Sequence, residues 1–155
     1  MDTRLNIPAG MRLLEANDSA SVRPLFSLMR QLRPALQSED EWCAYFERAS
    51  AVGYRLVVLY REAVPAALVS YRLAENLVHG RYLYVEDLVT DERQRSQRCG
   101  EMLMQWCIQN AREQGCRKVI LDTGLANALA QRFYFRQGLL ATSMRFAMVL
   151  DSTPA

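Results

Sequence analysis

Apolar and polar positions alternate along this chain with two different periods, and the switches between them mark its elements. Residues 82–90 are rich in aromatic and β-branched types and lack breakers, which predicts a strand. A polar turn follows, and over 100–114 Met, Leu, Gln, Glu and Ala predict a helix. Upstream, 11–15 reads as a first strand. Asn17, Asp18 and Ser19 then offer N-caps to a helix whose apolar positions are Val22, Leu25, Phe26, Met29 and Leu32. Pro24 fits its early turn, and Pro34 stops it. Ser38 and Glu41 form an S-x-x-E capping box that opens a second helix running to Arg48, with Trp42, Tyr45 and Phe46 as its apolar stripe. Residues 54–60 and 65–73 read as strands joined through Arg61-Glu62-Ala63, and 74–81 as a loop. After the 100–114 helix, Gly115 occupies a C′ position. A strand over 118–123, a short helix over 127–136 capped by Asn127, and a last strand or strand pair over 139–150 complete the chain. The segment before Pro8 reads as a frayed start, and the polar tail 151–155 as disordered.

The order is β, α, α, three strands, α, β, α, β. Hairpin strands give way to βαβ crossovers around Val85 and Ile120, which predicts an α/β (α+β) fold with a mixed sheet. A chain of 155 residues fits one domain, 1–155, and no repeat or linker divides it.

The strand, turn and helix over 82–114 are arranged as an anion site. The first N–H groups of a helix lack intrahelical partners and carry the positive end of the dipole. Arg93, Arg95 and Arg98 add charge just before Gly100. The natural guest is a phosphate or pyrophosphate. Strict alternation puts Tyr82, Tyr84, Glu86 and Leu88 on one face of the strand, and Leu83, Val85, Asp87 and Val89 on the other.

Arg95-Ser96-Gln97-Arg98-Cys99-Gly100 resembles the R/Q-x-x-G-x-G/A acetyl-CoA motif of the GNAT superfamily of N-acetyltransferases. Asn127-Ala128-Leu129-Ala130-Gln131-Arg132-Phe133-Tyr134, followed by Gly138, resembles that superfamily's N-x-x-A-x-x-F-Y…G segment. Two such segments in the right order are more specific than either alone. The chain departs from the pattern at Arg98, where the superfamily usually has its first glycine, and at Leu139, which replaces the usual Phe.

The resemblance implies a mixed, mostly antiparallel sheet of six or seven strands flanked by about four helices. It implies acetyl transfer from acetyl-CoA to an amine, on a small molecule or a peptide or protein. The cofactor would lie on the backbone of Leu88, Val89 and Thr90, on the loop Arg95, Ser96, Gln97, Arg98, Cys99, Gly100 and Glu101, and near Asn127 and Tyr134. Glu86 is the first candidate for the general base and Asp122 the second; the competing reading of Glu86 is an ion pair with an arginine. Tyr134 matches the phenol that stands near the CoA sulfur, where it would act as general acid; otherwise it is a packed aromatic beside Phe133 and Phe135. The other class of reading is a non-catalytic acyl-CoA-binding or interaction module with a decayed motif. Relatives that pair through C-terminal strands imply a homodimer, with residues 144–150 as its apolar edge.

Arg98 has two readings. Where glycine serves only to let a ligand approach, an arginine side chain can point outwards; where φ is positive, an L-residue is strained.

Composition narrows the rest. The net charge is +2, and Lys118 is the only lysine, so no concentrated basic face argues for nucleic acid. The four cysteines form no C-x-x-C and His79 is the only histidine, so no metal is expected. As a lone loop residue His79 is read as solvated rather than as a base, and the cysteines as small buried hydrophobes. Cys99 stands at a helix N-terminus, where a thiol pKa can fall, but no base is evident beside it. No membrane span and no signal peptide are evident, so a cytoplasmic protein is expected.

Overall fold

The structure is a computed structural model that describes residues 6–150. Most of the expected frayed start, and the whole of the expected disordered tail, lie outside the described residues. The chain divides into two compact units, Met1–Leu121 and Asp122–Ala155.

The first unit is a five-stranded sheet in the order β1-β2-β3-β4-β5. Its strands are β1 (Met11–Ala16), β2 (Arg55–Arg61), β3 (Val64–Asn76), β4 (Gly80–Thr90) and β5 (Lys118–Leu121). The first four pair antiparallel, and β5 joins β4 in parallel, so the sheet is mixed as the sequence predicts. The β3–β4 hairpin is longer than expected, because only Leu77, Val78 and His79 remain outside its strands. Asn76 explains the tight reversal: its side-chain oxygen accepts from the N–H of Val78 (3.0 Å) and of His79 (2.7 Å), an Asx turn. His79 is not simply solvated. Its ring packs against Tyr82, and Nδ1 lies 3.3 Å from Lys118 Nζ.

Helices cover both faces of the sheet. On one lie α1 (Ser19–Val22), a 3₁₀ turn (Arg23–Leu25), α2 (Phe26–Leu32) and α3 (Glu39–Ser50). The single helix expected here is broken at Arg23-Pro24-Leu25. Proline offers no N–H and its ring crowds the preceding carbonyls, so the apolar spacing survives while the helical ladder does not. Val22, Leu25, Met29, Trp42 and Phe46 bury against Leu56, Val58 and Leu68 of the sheet. The Trp42 indole donates to the Val22 carbonyl (2.8 Å), so its one polar atom is satisfied inside that core. On the opposite face lies α4 (Cys99–Glu113). Its buried residues Cys99, Leu103, Cys107 and Ala111 recur every fourth position and pack on Val57, Leu59, Val69, Leu83 and Val85.

The second unit carries α5 (Ala128–Arg136), whose cap Asn127 accepts from the Ala130 N–H (3.2 Å). Residues 139–150 form no strand, which corrects the expected sixth or seventh strand. Their period-two apolar pattern is real, but a strand needs a ladder partner, and all ten residues of 141–150 are exposed.

Candidate functional site

The site begins with an irregularity in β4. Ser70 pairs with Asp87 and Tyr71 with Val85, so Glu86 is an extra residue, a β-bulge. The bulge reverses the alternation predicted for the strand. Leu83 and Val85 face α4, but Val89 belongs to the opposite core, while Leu88 packs on the α4 side. The expected grouping of Asp87 and Val89 with Leu83 and Val85 is therefore wrong, and the single inserted residue is the reason.

Beyond the bulge, β4 lacks a strand on its outer side. Its pairing with β5 runs from Tyr82↔Lys118 to Val85↔Leu121 and stops. Leu88, Val89 and Thr90 thus keep β3 as a neighbour but have no strand partner on the other edge among the described residues.

This edge leads into the arginine loop. Asp91 caps a short 3₁₀ turn, Glu92–Gln94, by accepting from the Arg93 N–H (2.9 Å). Ser96 (φ 67°) and Arg98 (φ 61°) are left-handed, and Arg98 is the N-cap of α4. The missing glycine thus stands at a position that needs positive φ, and Arg98 is strained there. Its side chain turns onto Glu101, with Nε and Nη2 at 2.7 and 2.6 Å from the carboxylate, which holds the Glu101 pKa down. Arg93 folds back onto Asp91 (2.8 Å). Of the three loop arginines, two are neutralised by neighbours, and Arg95 alone has no acidic partner among the described residues. Cys99 is buried, and burial pushes its thiol up, opposite to the lowering that a helix N-terminus tends to produce.

The αL geometry of Arg98 makes a direct prediction. Arg98→Gly should melt higher than Arg98→Ala by roughly 2–4 °C, since both lose the Glu101 pair and only alanine keeps the strained backbone. Circular dichroism melts of the two variants check it; equal melting would mean that Arg98 is not held at positive φ.

The carboxylates differ sharply. Glu86 is ion-paired with Arg72, whose guanidinium also lies over the Tyr54 ring and donates to the Val52 carbonyl (2.8 Å). Asp87 is buried and accepts three hydrogen bonds: from Arg33 Nε (2.7 Å), Ser70 Oγ (2.5 Å) and Tyr54 Oη (3.1 Å). Burial first, and the Asp87 charge second, push the Tyr54 phenol well above its usual pKa. Burial likewise raises Tyr45, with Glu86 and Asp87 contributing. Sequence reasoning missed Arg33, Tyr54, Ser70 and Asp87. The available signal was Asp87 itself, a charge standing at a core position of an otherwise apolar alternation.

Asp122, Asn127 and Tyr134 belong to the second unit. Asp122 is paired with Arg145 (2.5 Å), Asn127 caps α5, and the Tyr134 ring meets Phe133 edge-on at 5.3 Å. Burial raises the Tyr134 phenol pKa. Among the described residues no cluster of His, Cys, Asp and Glu is suited to a metal, and no helix is long and apolar enough to cross a membrane.

The site is thus a mixed sheet whose strand β4 loses its outer partner and runs into the N-terminus of a long helix. The chain belongs to the acetyltransferase (GNAT) family, whose profile matches residues 22–139. It is 30% identical over 100 residues to an aminoalkylphosphonate N-acetyltransferase of Salmonella typhimurium, a match covering 64% of each chain. It is 32% identical over 121 residues to glucosamine 6-phosphate N-acetyltransferase 1 of Oryza sativa, covering 72% of this chain and 71% of that one. The match thus spans just under two thirds of the first relative's length. Among solved structures, an aminoglycoside N-acetyltransferase in complex with CoA superposes with a TM-score of 0.79 at 17% identity, covering 93% of this chain and 98% of that one.

Proposed function

We propose that this protein transfers the acetyl group of acetyl-CoA to a primary amine. The observation that carries the reading is the outer edge of β4 at Leu88, Val89 and Thr90, which has no strand partner among the described residues and leads directly into the loop before α4. A pantetheine arm can hydrogen-bond to such an edge as a strand would. The loop from Arg95 to Glu101 would then receive the pyrophosphate at the N-terminus of α4, with Arg95 as the loop cation not neutralised by another of the described residues. The family and the CoA-bound structural relative support this cofactor.

The chemistry asks little of the protein, because the thioester is already activated. Glu86, directly or through a water, would take a proton from the acceptor ammonium; Asp122 is the alternative base. The freed amine adds to the thioester carbonyl, forming a C–N bond, and backbone N–H groups of the open edge are available donors to the oxyanion. Collapse breaks the C–S bond; Tyr134 would protonate the departing thiolate, and the second proton lost by the nitrogen as it becomes an amide would restore the phenol, leaving the proton on Glu86 as the one released to solvent. The raised pKa of Tyr134 keeps the phenol protonated at neutral pH, as that role requires.

The names of two relatives share one feature, an amine on a molecule that also bears a phosphonate or phosphate. Aminoalkylphosphonates and glucosamine 6-phosphate therefore head the acceptor screen, followed by polyamines and peptide amino groups. The expected result is CoA release with at least one amine, together with thermal stabilisation by CoA alone. Stabilisation without turnover would favour the acyl-CoA-binding module, and neither response would remove the cofactor reading.

We also propose a cytoplasmic homodimer. Met144, Phe146, Met148 and Leu150 recur with period two and are 69%, 87%, 85% and 80% exposed, a row that a monomer leaves in water. Light scattering is expected to give twice the 17.8 kDa of one chain. A monomer at high concentration would count against it.

A further inference from the structure

The C-terminal turn of α2 reaches β4 at one point and the turn after it at another. Arg33, the C-cap of α2, donates from Nε to the buried Asp87 carboxylate (2.7 Å) and from Nη2 to the Glu86 carbonyl (3.0 Å). Gln31, one short step earlier, accepts from the Glu92 N–H through its side-chain oxygen (3.0 Å). The first contact falls on the bulge and the second on the turn after the strand. Between them lies Leu88, Val89 and Thr90, the backbone without a partner strand on its outer side. A strand paired on one side only has half the usual ladder to hold it, and a bulge interrupts that ladder. The contact to the Glu86 carbonyl is not replaceable by the strand's own pairing, since Glu86 is the residue that β3 does not pair, whereas Asp87 pairs with Ser70. Asp87 is anchored in turn by Ser70 of β3 and by Tyr54, just before β2, so that the pull of Arg33 is transmitted to the sheet rather than to a mobile side chain.

We propose that α2 clamps the cofactor strand, with Arg33 and Gln31 as positioning residues that fix residues 86–92 in the geometry needed to receive the pantetheine arm. The CoA part of this statement rests on the function proposed above; the clamp itself does not. Arg33 is the stronger half, because it joins a backbone carbonyl and a buried carboxylate through one planar fork. Gln31 supplies only a neutral acceptor.

The test combines amide hydrogen exchange, CoA titration and thermal melting on the full chain. In Arg33→Gln, exchange over 83–92 is expected to rise about 10-fold or more while β2 and the first half of β3 stay near wild type. CoA affinity is expected to fall roughly 10-fold, and the melting temperature to drop as well, because the buried Asp87 carboxylate loses its charged partner. Arg33→Lys should recover part of both losses, since an ammonium still meets Asp87 but cannot also hold the Glu86 carbonyl in the same fork. Gln31→Ala should raise exchange only at the Glu92 end, and it keeps the question answerable if Arg33→Gln does not fold. Unchanged exchange over 83–92 in Arg33→Gln would overturn the clamp. So would a uniform rise across all strands, which is the mark of general destabilisation. If the wild-type protein does not bind CoA, the functional reading fails on its own, and the exchange pattern still decides the clamp.

Discussion

Replacing Tyr134 with phenylalanine is expected to lower kcat by about 10²-fold or more, the usual size of a general-acid contribution, while CoA affinity changes little. The substitution keeps the ring and its edge-on contact with Phe133 and removes only the hydroxyl. The pH dependence carries a second signature. Burial raises the Tyr134 pKa, so the acid stays protonated through neutral pH, and the basic limb of kcat should lie above the value of about 10 for an ordinary phenol. That limb should vanish in Tyr134→Phe. Steady-state kinetics over pH 6–11 on an acceptor from the screen reads both effects. If the residue is a packed aromatic only, Tyr134→Phe leaves turnover intact and Tyr134→Ala destabilises the fold through lost packing.

The second large effect is expected at Glu86. Glu86→Gln preserves size and removes the proton acceptor, so turnover should fall about 10²-fold with CoA binding retained. Arg72 complicates the site in an informative way. It is paired with Glu86 and also held by the Val52 carbonyl and the Tyr54 ring, so the arginine keeps two contacts when the carboxylate is gone. Folding stability should therefore change little, and a loss of turnover would report chemistry rather than collapse. Arg72→Gln is the companion variant: it frees the carboxylate without removing it. Full activity in Glu86→Gln would reassign the base to Asp122 or to water and leave Glu86 with the structural ion pair.

Much of this architecture was legible in the sequence because its cues are local. The α4 stripe at Cys99, Leu103, Cys107 and Ala111 is written in side-chain spacing, and the β2–β3 hairpin in two apolar runs around a polar turn. The bulge was not legible, because one inserted residue leaves no mark on composition and appears only when β4 is set against β3. That pairing also brought together Ser70 and Asp87, which lie 17 positions apart, and the packing of α2 on the sheet brought in Arg33, 54 positions from Asp87. The helical spacing over Val22 to Leu32 was real, yet the ladder fails at Pro24, whose position was read as an early turn. Arg98 posed a question that sequence could frame but not answer, since closeness and positive φ call for the same glycine. The apolar period over 144–150 was likewise legible, whereas its strand depends on a partner that a single chain's pattern does not supply.

The reversal of side-chain direction at Glu86 has a consequence for how this part of the protein comes apart. A regular strand covered on both faces gives every other residue to each layer along its whole length. Here Leu83 and Val85 serve the α4 layer in the first half of β4, while Val89 serves the α1–α3 layer in the second. One short strand is thereby stitched through both layers, like a thread crossing a seam. Loosening either layer pulls on the same backbone, so the two should melt together.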